Sequence, residues 1–237
     1  MARNTTLVKL LDSLRVEARL SLNPAHNAQN RDHQVRMLQR EQERLWDDFD
    51  WPHLRVERQV ATQAGQRYYE TPDDIRIDRI ERIEIFRDGG WCSMTPEIGS
   101  GQYNVFNSDL DERSWPPRNW RIHEDEDVEI WPIPDVNANS TTLEGYIKFV
   151  GIRELRPLVD DADRADLDDT MIVQYVAAQM LAASGAKDAK LKLDSANGRY
   201  SRLRGRLTPR RKFKMFGIGR EPSSRKFTIG QYRPAES

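Results

Sequence analysis

Cysteine is all but missing. Cys92 stands alone in 237 residues, which excludes an internal disulfide and fits a reducing compartment, or a particle assembled in one. Long apolar runs are missing too. The longest, Val176 to Ala183, carries Gln179 and is too short to cross a bilayer. The opening Met1-Ala2-Arg3-Asn4 lacks the apolar core of a signal peptide. The expectation is therefore a soluble protein made in the cytoplasm, with no membrane partner. Apolar residues supply only 38% of the chain against 32% charged, with a mean hydropathy of −0.79. A chain that polar either has long solvated segments or completes its core against copies of itself.

Catalytic chemistry is missing as well. The four histidines, His26, His33, His53 and His123, fall in different predicted elements, none at metal-ligand spacing from another or from Cys92. Cys92 follows a turn and adjoins Trp91, as a packed strand residue would. Gly217-Ile218-Gly219 lacks the strand before and helix after it that a phosphate cradle needs. The carboxylates at Asp160, Asp161, Asp163, Asp166, Asp168 and Asp169 lack the glycine pivot and closing glutamate of a calcium loop. They are expected to form a solvated helix N-terminus. No enzyme activity, metal or cofactor is expected.

What the chain does have is organised around Glu43 to Ile77, ERLWDDFDWPHLRVERQVATQAGQRYYETPDDIRI. Trp46, Phe49 and Trp51 bracket an elbow, and Pro52 stops the helix there because it lacks an N–H and clashes with the preceding turn. Leu54, Val56 and Val60 then alternate with Arg55, Glu57 and Gln59, the period of a half-buried strand. Ala64-Gly65-Gln66 turns the chain, and Arg67 to Glu70 return it. These aromatics should lock the angle between a helical part and a β part.

Before this corner, Leu7, Leu10, Leu11, Leu14 and Ala18 predict a helix over 4–22, capped by Asn4 or Thr5. A second helix is predicted from about Asn30 to Asp48, its solvated face carrying Arg36, Arg40, Arg44, Glu41 and Glu43. Ion pairs along such a face contribute ~0.3 kcal/mol each. After the corner, short strands follow with frequent turns. The alternation slips at Arg79-Ile80, Asp88-Gly89-Gly90 marks a hairpin, and 120–122 with 128–131 mark another. The last strand is predicted over Leu143 to Val150. Residues 96–118 read as a long loop carrying Tyr103, Phe106 and Trp115, a candidate interface. Helical periodicity returns with Met171 to Ala183, capped by Asp166 or Asp168 and stopped at Ser184-Gly185, then again to about Arg204. The expected fold class is α+β. A helical bundle (1–50 and 152–204) would carry an inserted antiparallel β sandwich or barrel (51–151) and an extended tail (205–237).

The tail is basic and aromatic. Arg210, Arg211, Lys212, Lys214, Arg220, Arg225, Lys226 and Arg233 interleave with Phe213, Phe216, Phe227 and Tyr232. It reads as a docking peptide whose aromatics fill protein pockets, as a nucleic-acid arm whose cations meet phosphates, or as a solvating segment.

The stretch LWDDFDWPHLRVERQVATQAGQRYYETPDDIRIDRIERIEIFRDGGW, with its WxxFxWPxLR elbow, GQxYY turn-strand and PDDI break, resembles the head-to-tail adaptors of tailed bacteriophages of the short-tailed type. The resemblance covers roughly residues 35–95 and implies a structural virion protein. Such adaptors form a ring, usually of twelve copies, between the portal and a tail or nozzle protein, with genomic DNA passing through the lumen. It implies assembly in the host cytoplasm and residence at the head–tail junction. It also implies a C-terminal strap docking onto the portal, here Leu207 to Tyr232 with Phe213, Phe216 and Phe227 as anchors. Acids near 160–169 are expected to face the lumen. The competing readings are a DNA-binding β-barrel protein with a basic arm and another tail-tube component.

Overall fold

The structure, a computed structural model, describes residues 3–23, 30–107, 110–124 and 127–208. The chain opens with helices α1 (Leu7–Glu17) and α2 (Arg31–Asp48). A short 3-10 turn, Pro52–Leu54, then leads into the β part. Strands β1 (Arg55–Ala61), β2 (Tyr68–Tyr69), β3 (Ile75–Arg87), β4 (Gly90–Ser93) and β5 (Thr95–Pro96) are followed by the one-turn helix α3 (Ser100–Tyr103). Strands β6 (Asn119–Ile122), β7 (Val128–Trp131) and β8 (Tyr146–Arg153) come next, then helices α4 (Asp169–Ala183) and α5 (Ala189–Leu207). The class is α+β, as expected.

The helical core is centred on α4, which is apolar nearly all round and buries Met171, Ile172, Val173, Val176 and Ala177. A helix with no polar face has to be enclosed. Leu7, Leu10, Leu11 and Leu14 of α1, Leu38, Leu45 and Trp46 of α2, and Ala196 and Leu203 of α5 enclose it. Helix α1 is shorter than predicted. Arg19 takes a left-handed conformation (φ 59°), and the Leu20 amide reaches back to the Arg15 carbonyl, a Schellman-type ending made without glycine. The predicted caps at Asn4 or Thr5 are also corrected. Thr6 holds the cap position and makes no side-chain cap. The carbonyls of Asp163 and Asp161 accept from the Leu7 and Val8 amides at 2.8 and 3.5 Å instead.

The β part is two four-stranded sheets, β1-β8-β3-β4 and β2-β7-β6-β5. Among the described residues both are open at their edges, so the barrel alternative does not hold. Pairing is antiparallel except for β5 with β6, which is parallel. Ile83, Ile85, Ile147 and Phe149 of the first sheet share one core with Tyr69, Trp120, Val128 and Ile130 of the second. The predicted slip is present as register shifts in β3 on either side of Ile80. At Asp88-Gly89 both residues have positive φ (51° and 74°), the geometry of a two-residue hairpin turn whose twist matches its strands. Strand β8 begins later than predicted because Leu143 and Gly145 hold a left-handed turn (φ 62° and 84°). The predicted long loop contains β5 and α3, and Trp131 Nε1 donates to the Gln102 carbonyl at 2.8 Å to fix it.

Candidate functional site

The corner is built as a joint. Trp51 is fully buried, and its Nε1 donates to the Leu45 carbonyl at 2.9 Å, tying the chain after the helix back onto the helix. Phe49 meets it edge-on, with ring centroids 5.2 Å apart. Pro52 opens the 3-10 turn, where its fixed φ suits the first helical position. Trp46 Nε1 donates across to the Arg153 carbonyl at 3.1 Å, so the chain entering the β part is bonded to the chain leaving it. Arg79, at the β3 irregularity, covers the Trp46 ring at 4.6 Å and donates to the Asp47 carbonyl and the Asp50 carboxylate, both at 2.8 Å.

The acidic stretch is not the solvated helix end expected of it. Asp166, Asp168 and Asp169 are buried. Asp166 accepts from the guanidinium groups of Arg153 and Arg156, both at 2.5 Å at closest, and from the Arg156 amide at 2.9 Å. Burial alone would raise its carboxyl, but these donors outweigh burial and hold it below the ordinary range. Asp168 caps α4 through the Met171 amide at 3.0 Å and pairs with Arg199 of α5 at 2.6 Å. Among the described residues Asp169 has no cation as a direct partner. Burial and then the charge of Asp168 push its carboxyl up, against the hydrogen bond from Thr5. Asp160 and Asp161 are exposed, while the Asp163 carboxylate accepts from the amides of Val159 and Asp160 at 2.7 and 2.6 Å. The three buried acids therefore join the segment ahead of α1, β8, α4 and α5, and are unavailable to line a channel.

Glu41, placed by its spacing on a solvated face, is also buried. It accepts from Arg44 at 2.5 Å and Gln179 at 2.9 Å.

A second cluster lies in the β part, where Glu129 of β7 is fully buried. It accepts from Arg67 and the Tyr103 hydroxyl at 2.7 Å each, and from Arg121 at 2.5 Å. Burial raises its carboxyl, and the donation from Tyr103, Arg121 and Arg67 overrides it, leaving it below the ordinary range. Sequence reasoning missed this site. The signal was in the 120–122/128–131 hairpin, whose register sets Arg121 directly opposite Glu129.

Of the predicted interface loop, Tyr103 is half-buried, its ring 4.9 Å from that of Trp131. Phe106 packs against the small cluster of Ile98, Trp131 and Ile133, and Trp115 against the inter-sheet core. The structure brings Tyr103 and Phe106 together and leaves Trp115 in a different cluster. Cys92 is half-buried in β4 opposite Ile85. The predicted docking residues Arg210, Arg211, Lys212, Phe213, Lys214, Phe216, Phe227 and Tyr232 lie outside the described residues.

Among the described residues no group of three or more His, Cys, Asp or Glu side chains is placed to hold a metal ion. No helix among them is long and apolar enough to cross a membrane. The Asp166, Asp168 and Glu129 clusters serve architecture, joining elements far apart in sequence through charged hydrogen bonds.

None of the curated proteins matches the chain. A family model described as SU10 adaptor protein matches residues 5–218, a span that takes in the helical core, both sheets, the corner and the start of the basic segment. The chain belongs to the SU10 adaptor protein family, structural virion proteins of bacteriophage tail assembly.

Proposed function

We propose that the protein forms the ring adaptor that joins the portal vertex to the tail and continues the DNA channel. The carrying observation is the family match, which spans residues 5–218. The low apolar content supports a subunit that finishes its surface against copies of itself, as do exposed Val8 and Val16 on α1 and Leu191 and Leu193 on α5. In this reading the helices act as a bundle (1–50 and 152–204), the two sheets as an inserted sandwich (51–151), and residues 205–237 as the docking tail. Phe213, Phe216 and Phe227 are its anchors, with Arg210, Arg211, Lys212, Lys214 and Tyr232 around them. Tyr103 and Phe106 mark a second contact surface, towards a tail or nozzle protein, with Trp115 on the same stretch of chain but packed on the inter-sheet core. The resemblance implies twelve copies, assembled in the host cytoplasm and carried at the head–tail junction.

A part that passes DNA has to align and seal without gripping. The corner suits that task, because Trp46, Trp51 and Arg79 fix the angle between the helical and β parts through bonds to main-chain carbonyls. Negative-stain electron microscopy of the protein mixed with the portal encoded alongside it tests the reading. A ring added to the narrow end of the portal, and lost on deletion of residues 207–237, is the expected result. Absence of any added density, together with salt-sensitive binding to free DNA, would move the protein to the DNA-binding reading.

A further inference from the structure

The two sheets leave four strand edges without a strand partner among the described residues, at β1, β4, β2 and β5. Three are only two to four residues long, and β5 contains Pro96. The fourth, β1, pairs with β8 in unbroken register from Arg55 to Ala61, so it offers seven residues of free edge. An edge of that length is a template for another strand unless something protects it. Beside it lies a cleft of about 770 Å³. Four consecutive β1 residues, Arg58 to Ala61, line it. Side chains of consecutive strand residues point to opposite faces, so a cleft that all four reach lies along the edge and not over one face.

The lining also carries Glu70, Asp73, Asp74 and Asp127. Arg58 is the one cation in the lining, and it is paired with Asp74 at 3.1 and 2.5 Å. Four acids and one arginine give the lining a formal charge of −3. Within 220–233 the chain carries Arg220, Arg225, Lys226 and Arg233 against Glu221, a formal +3, and Lys226-Phe227-Thr228-Ile229 has the β-branched and aromatic content of a strand. We infer that the cleft beside β1 receives the Arg225–Ile229 segment of a second copy, added as a strand to the free edge and selected by charge. The inference rests on the ring reading, since it needs two copies side by side. It assigns Phe227 to a neighbouring subunit and leaves Phe213 and Phe216 for the portal.

Disulfide trapping between full-length copies tests it, in a Cys92→Ser background and with differently tagged chains assembled on the portal. One copy carries Gln59→Cys, on the edge strand, and the other Thr228→Cys. A disulfide forms only when the two Cβ atoms approach within about 4.5 Å. A mixed-tag product is expected, its yield falling at least fivefold when Glu70 and Asp73 are changed to Lys, and falling for the otherwise unmodified pair as salt rises. Both acids are exposed, and coincident melting curves will show whether the reversal leaves the fold intact. Should it unfold the chain, the salt series alone decides. A yield no higher than that of a control carrying Val159→Cys in place of Gln59→Cys overturns the inference, as does a yield indifferent to both charge and salt. Microscopy of the same samples separates the two readings. Rings on the portal without the mixed-tag product leave the adaptor standing and remove the cleft, whereas absence of rings removes both.

Discussion

Asp166 and Asp169 are three residues apart, both buried, and opposite in consequence. Asp166 is held by two guanidinium groups and an amide, and its carboxyl is lowered. A carboxylate lowered in the folded state contributes stability that is full above the unfolded value and lost as pH falls through the folded one. Asp169 is raised by burial and by its neighbour Asp168, so its contribution has the other sign. It lowers stability progressively as pH rises from the unfolded value through the folded one. Asp166→Asn should therefore cost about 2 kcal/mol at neutral pH, the scale of lost charged hydrogen bonds, and flatten the decline towards acid. Asp169→Asn should be neutral or slightly stabilising at pH 7, since an amide can still accept from Thr5. Urea unfolding of both variants at pH 7 and in mild acid checks this, and a loss for Asp169→Asn as large as for Asp166→Asn would contradict it. None of this was visible in the sequence, because six acids between 160 and 169 look like a solvated cap until Arg153, Arg156 and Arg199 arrive from β8, its trailing segment and α5.

Among the elements, β3 and β8 meet closely at one point. The irregularity at Arg79-Ile80 pushes the Arg79 carbonyl towards Gly151, where an added Cβ would stand 2.7 Å from that oxygen and 2.9 Å from Ile75 Cγ2. Backbone cannot yield as a flexible side-chain tip does. Gly151→Ala should cost about 1–3 kcal/mol, the scale of overpacking, read as a lower melting temperature. An unchanged one would mean that the slip is not fixed in place. The slip itself was legible as a break in the alternation of Ile75, Ile77, Ile83 and Ile85, and so was the Asp88-Gly89 turn. Its consequence at Gly151 was not, since the two positions meet only through sheet order. The end of α1 was hidden for a related reason. Arg19 adopts a conformation usually left to glycine, and only the Leu20-to-Arg15 bond reveals why. The open edges, likewise, follow from strand order and not from residue type.

At the scale of the molecule, Leu54 and Ile152, at the two ends of the β part, belong to the helical core. Shared packing of this kind couples the parts. Near-ultraviolet signals from the tryptophans and far-ultraviolet signals from the helices should therefore change together in one thermal transition, and two separated transitions would show the parts to be independent. The same geometry has a bearing on ancestry. Trp46, just before the chain leaves the helices, is bonded to Arg153, just where it comes back, and Arg55 lies opposite Ile152. A segment whose departure and return are side by side asks almost nothing of its host in length, because the entropy of closing a loop grows by only ~0.6 kcal/mol for each doubling. The stretch between Trp46 and Arg153 can be enlarged, trimmed or exchanged while α2 still ends and α4 still begins in the same place, which makes the region beyond the corner the part of such a chain most open to change in evolution.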